Sequence, residues 1–390
     1  MLAVKNNKVI ESVESGKEFF CKFLSANDTG ATGGHQSGIL VSVSAAKMLF
    51  KEELPDNGIL KRNIKITWQD DIITESCFTY YSSKKELRIT RFGRNFDILN
   101  PDKTGALFVL TKQSMDDYSA FILETEDDIE DFLNAFGISA TETNSLFGVS
   151  NIQKGTEEEQ AIQKFILSLQ VEFPETEVMS YAARSIVNDV YNHIEDMKTN
   201  PDKKIIEWTR MEYLLFRSVE EYRYGDIVKN GFESVEEFVS VANSILNRRK
   251  SRAGKSLEHH LSAIFDANHI KYVPQAITEG KKRPDFLFPS IEAYYDISYP
   301  IDKLVTLAAK TTCKDRWRQI INEASRLKDK NKYLCTLQQG ISPAQMDEMQ
   351  DEKVILVVPK PYISYYPKDR QNRIWTLSRF VEYIKNIQSN

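Results

Sequence analysis

The chain reads as a multidomain protein, a β-rich first half followed by an α/β second half, and three observations predict it. Its 390 residues exceed what one core usually organises and suit two domains. Up to about residue 140, short β-branched and aromatic runs alternate with Gly, Pro, Asn, Asp and Ser. From about residue 157 apolar residues recur at helical spacing, and near Lys271 the period shifts back towards that of strands.

Taken in order, strands are expected over residues 39–43, 63–68, 77–81, 86–92 and 106–110. Short strands at this spacing suggest a barrel or sandwich. Residues 127–136 predict a helix, closed by Gly137 in the left-handed conformation that ends many helices. The polar stretch after it has no clear period. The expected domains are therefore 1–145 and 161–390, with 146–160 as linker. In the second half Ala161, Phe165 and Leu169 start the helical pattern, and residues 178–197, 205–222 and 256–265 continue it. Strands are expected at 285–288, 294–297 and 304–310, then a helix over 312–328. The apolar run 354–358 suits a strand buried on both faces.

Composition excludes several classes. With 27% charged and 41% hydrophobic residues the chain is globular in character, not disordered or collagen-like. Its four cysteines, Cys21, Cys77, Cys313 and Cys335, form no C-x-x-C pair and have no matching histidines, so a disulfide framework and a structural zinc site are not expected. The N-terminus lacks a signal-like apolar core, and no apolar run is long enough to span a bilayer. A cytoplasmic protein without membrane contact is the expectation. Net charge is −5, yet basic residues cluster locally. Residues 84–94 hold Lys84, Lys85, Arg88, Arg91 and Arg94 against one Glu86, and residues 248–255 hold five positive charges and no acid. The acid gathers elsewhere, with six carboxylates in residues 124–131 (ETEDDIED). Phosphate contact depends on such patches more than on net charge, although any one run also reads as a solvated face.

One constellation carries chemistry. Asp285, in Arg283-Pro284-Asp285, opens one expected strand, Lys310 ends another, and Glu323 lies on the helix expected after it. Metal-dependent phosphodiester hydrolysis needs carboxylates to hold Mg2+ and a cation to place the attacking water, and Mg2+ accepts one or two carboxylates beside water and phosphate oxygens. On an ideal helix Trp317, Ile320, Ala324 and Leu327 share an apolar face with Glu323 at its margin. Lys314, Asp315 and Arg316 occupy the first turn, where Arg and Lys suit guanine and Asp suits the cytosine amino group. Thr312-x-x-Asp315 equally reads as a capping box, and the two roles are compatible.

The segments KKRPDFLFPSIEAYYD and LAAKTTCKDRWRQIINEA resemble the catalytic core of the EcoRII-type restriction endonucleases, a PD-(D/E)-x-K nuclease fold. The standard motif places an acid at position 308, where this chain has Ala308; in the EcoRII-like branch the acid is displaced, and Glu323 holds that place. The resemblance implies Asp285 and Glu323 as Mg2+ ligands and Lys310 as the residue assisting water. It implies places near the centre for Tyr294, Arg248 and Glu258, the last as accessory acid or simply a solvated residue. Lys314, Asp315 and Arg316 would read the outer C·G pairs. In the N-terminal half, LSANDTGATGGHQSG (residues 24–38) is similar to the effector domain of these enzymes, a DNA-binding pseudobarrel. Asn27, Asp28, His35 and Gln36 would offer donors and acceptors to base edges, with Arg88, Arg91 and Arg94 as a second arm.

The whole then implies a type II restriction endonuclease cutting double-stranded DNA at a CCWGG-like site, on the 5′ side of the first C. It implies a homodimer, since two-fold symmetry matches a palindromic site. It also implies an effector domain that blocks the catalytic cleft until it binds a second site, so that residues 157–390 alone should cut single-site DNA faster. The rivals are another nuclease of the same fold, acting in repair or on junctions, and a non-catalytic sequence-specific DNA-binding regulator.

Overall fold

The structure is a computed structural model that describes residues 2–16, 18–32, 38–93, 96–148, 156–191 and 195–389. The first part opens with α1 (Leu2–Gly16), β1 (Phe19–Phe23), β2 (Ile39–Val41), α2 (Ala46–Leu49), β3 (Ile59–Trp68), β4 (Ile73–Tyr81) and β5 (Glu86–Thr90). It closes with β6 (Leu107–Lys112), β7 (Asp117–Leu123), α3 (Glu126–Phe136) and β8 (Ser145–Phe147). These strands make one mixed sheet in the order β2-β5-β4-β3-β7-β6-β1-β8, parallel only between β3 and β7. Every strand expected here is present. Strands β1, β7 and β8 were not expected, and β8, which pairs with β1, carries the first sheet two residues into the expected linker.

The reason β1 and β6 lack a polar face lies in their position. Phe20, Phe108 and Leu110 enter one core cluster, while Phe19, Cys21, Phe23, Leu107 and Val109 enter another on the opposite face. Both faces are apolar because both are covered, so no polar alternation marks these strands. On the second face Phe19 meets Phe132, Phe136 and Phe147, with ring centroids 5.1–5.8 Å apart. Each such ring contributes about 2–3 kcal/mol of burial.

The second part begins with α4 (Glu157–Ser168), α5 (Thr176–Tyr191), α6 (Asp196–Thr199), α7 (Pro201–Asn230) and α8 (Val235–Ala267). Then come β9 (Val273–Pro274), β10 (Phe286–Phe288), α9 (Ile291–Tyr295), β11 (Val305–Lys310), β12 (Lys332–Thr336), α10 (Pro343–Asp351), β13 (Val354–Val357) and α11 (Leu377–Ser389). The sheet order is β13-β12-β11-β10-β9, with β11, β12 and β13 parallel and β10 antiparallel to both neighbours. Residues 294–297, expected as a strand, instead end α9 and turn away from the sheet: Ser290 caps that helix at Ala293 N–H, and Asp296 turns the chain through Ser298.

Residues 312–328 do not form an α-helix but two 3-10 runs, Arg316–Asn322 and Ser325–Leu327, parted by an extended Ala324 (φ −141°, ψ 96°). Trp317, Ile320, Ala324 and Leu327 are buried as their spacing required. Spacing by three and four fits both helix types, so apolar period alone does not separate them. Tertiary partners decide: Arg326 gives its guanidinium to the carbonyls of Ala293, Tyr294 and Tyr299.

The two parts are pressed together. Arg217 binds Glu142 at 2.6 and 2.9 Å and the carbonyl of Gly137, while Gln338 and Gln339 donate to the carbonyls of Gly105 and Ala140. Gly105 (φ +81°) needs to be glycine here: a Cβ would lie 2.2 Å from the carbonyl oxygen of Gly340.

Candidate active site

Strand pairing makes the first contact of the site. β10 and β11 run antiparallel with Phe286 opposite Leu307, which places Asp285 beside the end of β11. Asp285 Oδ2 accepts from Ala309 N–H at 2.8 Å and lies 3.3 Å from Lys310 Nζ. Its Oδ1 accepts from Gln275 Nε2 at 2.9 Å, and the same nitrogen donates to Glu258 Oε2 on α8, also at 2.9 Å. The chain thus gathers residues 258, 275, 285 and 310.

Glu323 joins them electrostatically. Burial pushes its carboxyl up to about 7, the Asp285 charge pushes the same way, and Lys310 opposes both. Glu258 is likewise raised, first by burial and then by Asp285. Burial alone would lower Lys310, but Asp285, Glu323 and Glu258 together hold it above its usual value, so it remains an ammonium. Three acids therefore stand round one lysine, more carboxyl groups than it can balance, and the two glutamates hold their protons more tightly for it. Among the described residues no three ligating side chains stand ready round one point. The donor set fits a hard divalent ion all the same: Asp285 and Glu323 would offer oxygen donors, and two carboxylates suffice where water and phosphate complete the shell. Ala308 packs into the core, 2% exposed.

The other expected residues are placed less uniformly. Tyr294 is buried, and its phenol reaches Glu279, 2.8 Å from each carboxylate oxygen, instead of the reacting groups. Arg248 lies ten residues before Glu258 on α8, bonded to the Tyr224 hydroxyl and stacked 5.1 Å over Phe173. It is not brought to the centre.

Lys314, Asp315 and Arg316 were expected on an exposed helix start. The first part of the chain meets them instead, with Lys314 buried and Arg316 half-buried while Asp315 stays exposed. Glu126 Oε2 accepts from the backbone N–H groups of Lys314, Asp315 and Arg316 at 3.2, 3.0 and 2.9 Å. Glu126 N–H returns a bond to Asp315 Oδ2, and Thr312 Oγ1 donates to Glu130 at 3.1 Å. Arg316 is paired with Asp127 and Glu130. Asp315 N–H and Oδ2 both bond Glu126 and Thr312 Oγ1 turns to Glu130, so Thr312 and Asp315 do not close the expected capping box on each other. Burial pushes Glu126 above the usual carboxylate range against the amides that pull it down. Lys314 is 7% exposed, and burial lowers its ammonium to about 8. The opposite charges of residues 124–131 and 314–318 were visible in the sequence; that they meet was not.

In the N-terminal domain, Asp28 presents no free carboxylate. Oδ2 accepts from Lys22 Nζ, Ser25 N–H and Ser25 Oγ, and Oδ1 accepts from Leu40 N–H at 2.8 Å. Its acceptors hold the loop, which corrects the expectation that they face a base. Asn27 is half-buried. Arg88 is 8% exposed and paired with Glu86 at 3.0 Å, and the exposed Arg91 (φ +67°) donates to Asn63 Oδ1. His35, Gln36 and Arg94 lie outside the described residues.

Among known families, residues 13–147 match the N-terminal domain of restriction endonuclease EcoRII, and residues 216–381 match the EcoRII C-terminal domain. Over its full length the chain is 36% identical to the type II restriction enzyme EcoRII of Escherichia coli, across 99% of that protein. Two nuclease structures with DNA are similar: metal-depleted Ecl18kI with uncleaved, modified DNA (TM-score 0.47, 19% identity, 60% of this chain and 84% of that one) and PspGI with substrate DNA (TM-score 0.45, 15%, 56% and 94%). The two matched domains and the full-length relative make the chain a site-specific deoxyribonuclease, a phosphodiester hydrolase. The chain belongs to the EcoRII family of type II restriction endonucleases.

Proposed function

We propose that the chain cuts double-stranded DNA with Mg2+ and that its N-terminal domain keeps the DNA-reading loop covered until that domain binds a further copy of the site. The observation that carries the reading is the Glu126 carboxylate seated on three amides of residues 314–316, with Asp127 and Glu130 taking up Arg316. A row of acids there occupies the space that phosphates and base edges require. Asp285 and Glu323 hold the cation. When bound, Mg2+ supplies positive charge to the scissile phosphate and acidifies a water. Lys310 directs its ammonium at the charge that develops on the phosphate and steadies the attacking water, and Glu258 serves as accessory acid. Asp285 is fixed for this by the Ala309 amide.

Once uncovered, Lys314, Asp315 and Arg316 read the outer C·G pairs of a CCWGG-like site, and a homodimer matches its symmetry; family likeness supports these assignments. Asn27, His35, Gln36, Arg88, Arg91 and Arg94 are assigned to the effector domain's own DNA contact, Arg88 after release from Glu86. Effector DNA opens the cleft only by the margin with which it prefers the open form. The test uses full-length protein on a single-site plasmid in Mg2+, with the ends mapped. Glu126→Ala should cut at least about tenfold faster than wild type, since a coupling of 1.4 kcal/mol is already tenfold. Equal rates overturn the covering role, and ends that map outside CCWGG-like sequences overturn the site.

A further inference from the structure

The acids of the centre come from distant positions, Glu258 on α8, Asp285 beside β10 and Glu323 between the two 3-10 runs. One short connector, residues 275–280 between β9 and β10, touches the settings of all three. Gln275 uses Nε2 to bridge Glu258 Oε2 and Asp285 Oδ1, each at 2.9 Å. Three residues on, Thr278 Oγ1 lies 2.6 Å from the main-chain oxygen of Glu323. Glu279 accepts from Ser325 N–H at 3.1 Å, and its two oxygens share the phenolic hydrogen of Tyr294. The Tyr294 oxygen accepts in turn from Arg326 N–H at 3.2 Å. Both ends of the connector are left-handed, Gln275 at φ +50° and Gly280 at φ +63°. A non-glycine residue in that region is strained and persists only where its surroundings over-determine it. Here the surroundings are the acids themselves.

We infer that the connector is a clamp that registers Glu258, Asp285 and Glu323 before any cation arrives, with Gln275 and Glu279 as positioning residues. The inference rests on the reading of Asp285 and Glu323 as cation ligands. Like charges gathered in a half-buried site repel, and flexible acids would spread apart. The Gln275 amide and the Thr278 hydroxyl oppose that spread without adding charge, and Glu279 directs its own charge to Ser325 N–H and the Tyr294 hydroxyl. The role also explains why residues 312–328 abandon the helix: a continuous helix would leave Ser325 N–H bonded within the segment and unable to reach Glu279. Tyr294 then serves as the back of the clamp, not as a catalytic residue.

The test is Mn2+ binding to the full chain without DNA, read from the spin-resonance signal of free Mn2+, beside the Mg2+ dependence of single-turnover cleavage. Gln275→Ala and Glu279→Ala should each weaken Mn2+ binding about tenfold, the low end for lost support of a metal ligand, and raise the Mg2+ midpoint by a similar factor. Saturating Mg2+ should restore most of the rate, and affinity for cognate DNA without metal should not change. Glu279→Gln keeps an acceptor for Ser325 N–H and should bind Mn2+ nearly as wild type. If Glu279→Ala does not fold, Thr278→Val carries the same expectation. Mn2+ binding unchanged in the clamp variants but lost in Asp285→Asn and Glu323→Gln overturns the clamp alone. Binding unchanged in Asp285→Asn and Glu323→Gln overturns the ligand reading and the clamp with it.

Discussion

Each of the two sheets carries a buried aspartate bonded to a lysine, and the pairs differ in what surrounds them. In the N-terminal domain Asp28 and Lys22 lie 2.7 Å apart, their side chains 0% and 4% exposed, and Lys22 also donates to the Leu40 carbonyl. One acid meets one base, and every acceptor of the acid is in use. In the C-terminal domain Asp285 and Lys310 lie 3.3 Å apart, and the lysine side chain is 28% exposed. Glu258 and Glu323 stand close enough to raise the Lys310 pKa. The first pair is neutral and closed; the second is short of positive charge and open on one side. Similar side chains thus make a closed ion pair in one place and part of an open cluster of acids in the other. Local charge balance and access separate the two roles.

The largest effect expected from breaking this contrast is on catalysis. Lys310→Ala should lower single-turnover cleavage by roughly three to four orders of magnitude while DNA binding, followed by fluorescence anisotropy, is retained. A loss of less than about tenfold would place Lys310 outside the chemistry. The matching change in the closed pair, Lys22→Met, leaves Asp28 buried without its partner. It should cost about 3–5 kcal/mol in urea unfolding, with no specific defect in cleavage by the protein that remains folded.

The contact between the domains offers a pH test. Lys314 has its pKa lowered, chiefly by burial, to about 8 from an ordinary value of 10.5. A depressed lysine favours the covered form when deprotonated, so protons favour uncovering. Covering should therefore tighten as pH rises from about 8 towards 10.5, by at most about 3 kcal/mol at 1.36 kcal/mol per unit. Measured as cleavage of single-site DNA relative to Glu126→Ala, this dependence should vanish in Lys314→Met. A slope of the opposite sign would show that Lys314 is not buried by the covering domain. The smallest effect sharpens the comparison directly. At a hundredfold excess over its dissociation constant, Ca2+ should stabilise the wild type by about 2.7 kcal/mol. Asp285→Asn should lose that gain, whereas Asp28→Asn, although less stable overall, should keep it.

Much of the architecture was legible because it follows from local rules. Gly137 ends α3 at φ +62°, the left-handed geometry its residue type favours, and β10 and β11 lie where β-branched and apolar runs place them. Asp285 and Lys310 could be paired because adjacent strands put their ends together. The failures share one cause. Asp28 reads as a polar loop residue until Lys22, Ser25 and Leu40 are seen around it. Residues 312–328 read as a helix until Glu126, Glu279 and Arg326 are seen to compete for the backbone. Gln275 and Glu279 carried no signal at all, being polar residues in a turn-rich connector.

Amino-acid order by itself determined which residues carry charge, where strands and helices can form, and which apolar positions must be buried, since propensity and period act over a few residues. Only the tertiary structure decided which charges meet. Residues 126 and 315, or 258 and 285, are far apart in the chain, and both the attraction between two groups and their exposure to water depend on the folded distance between them.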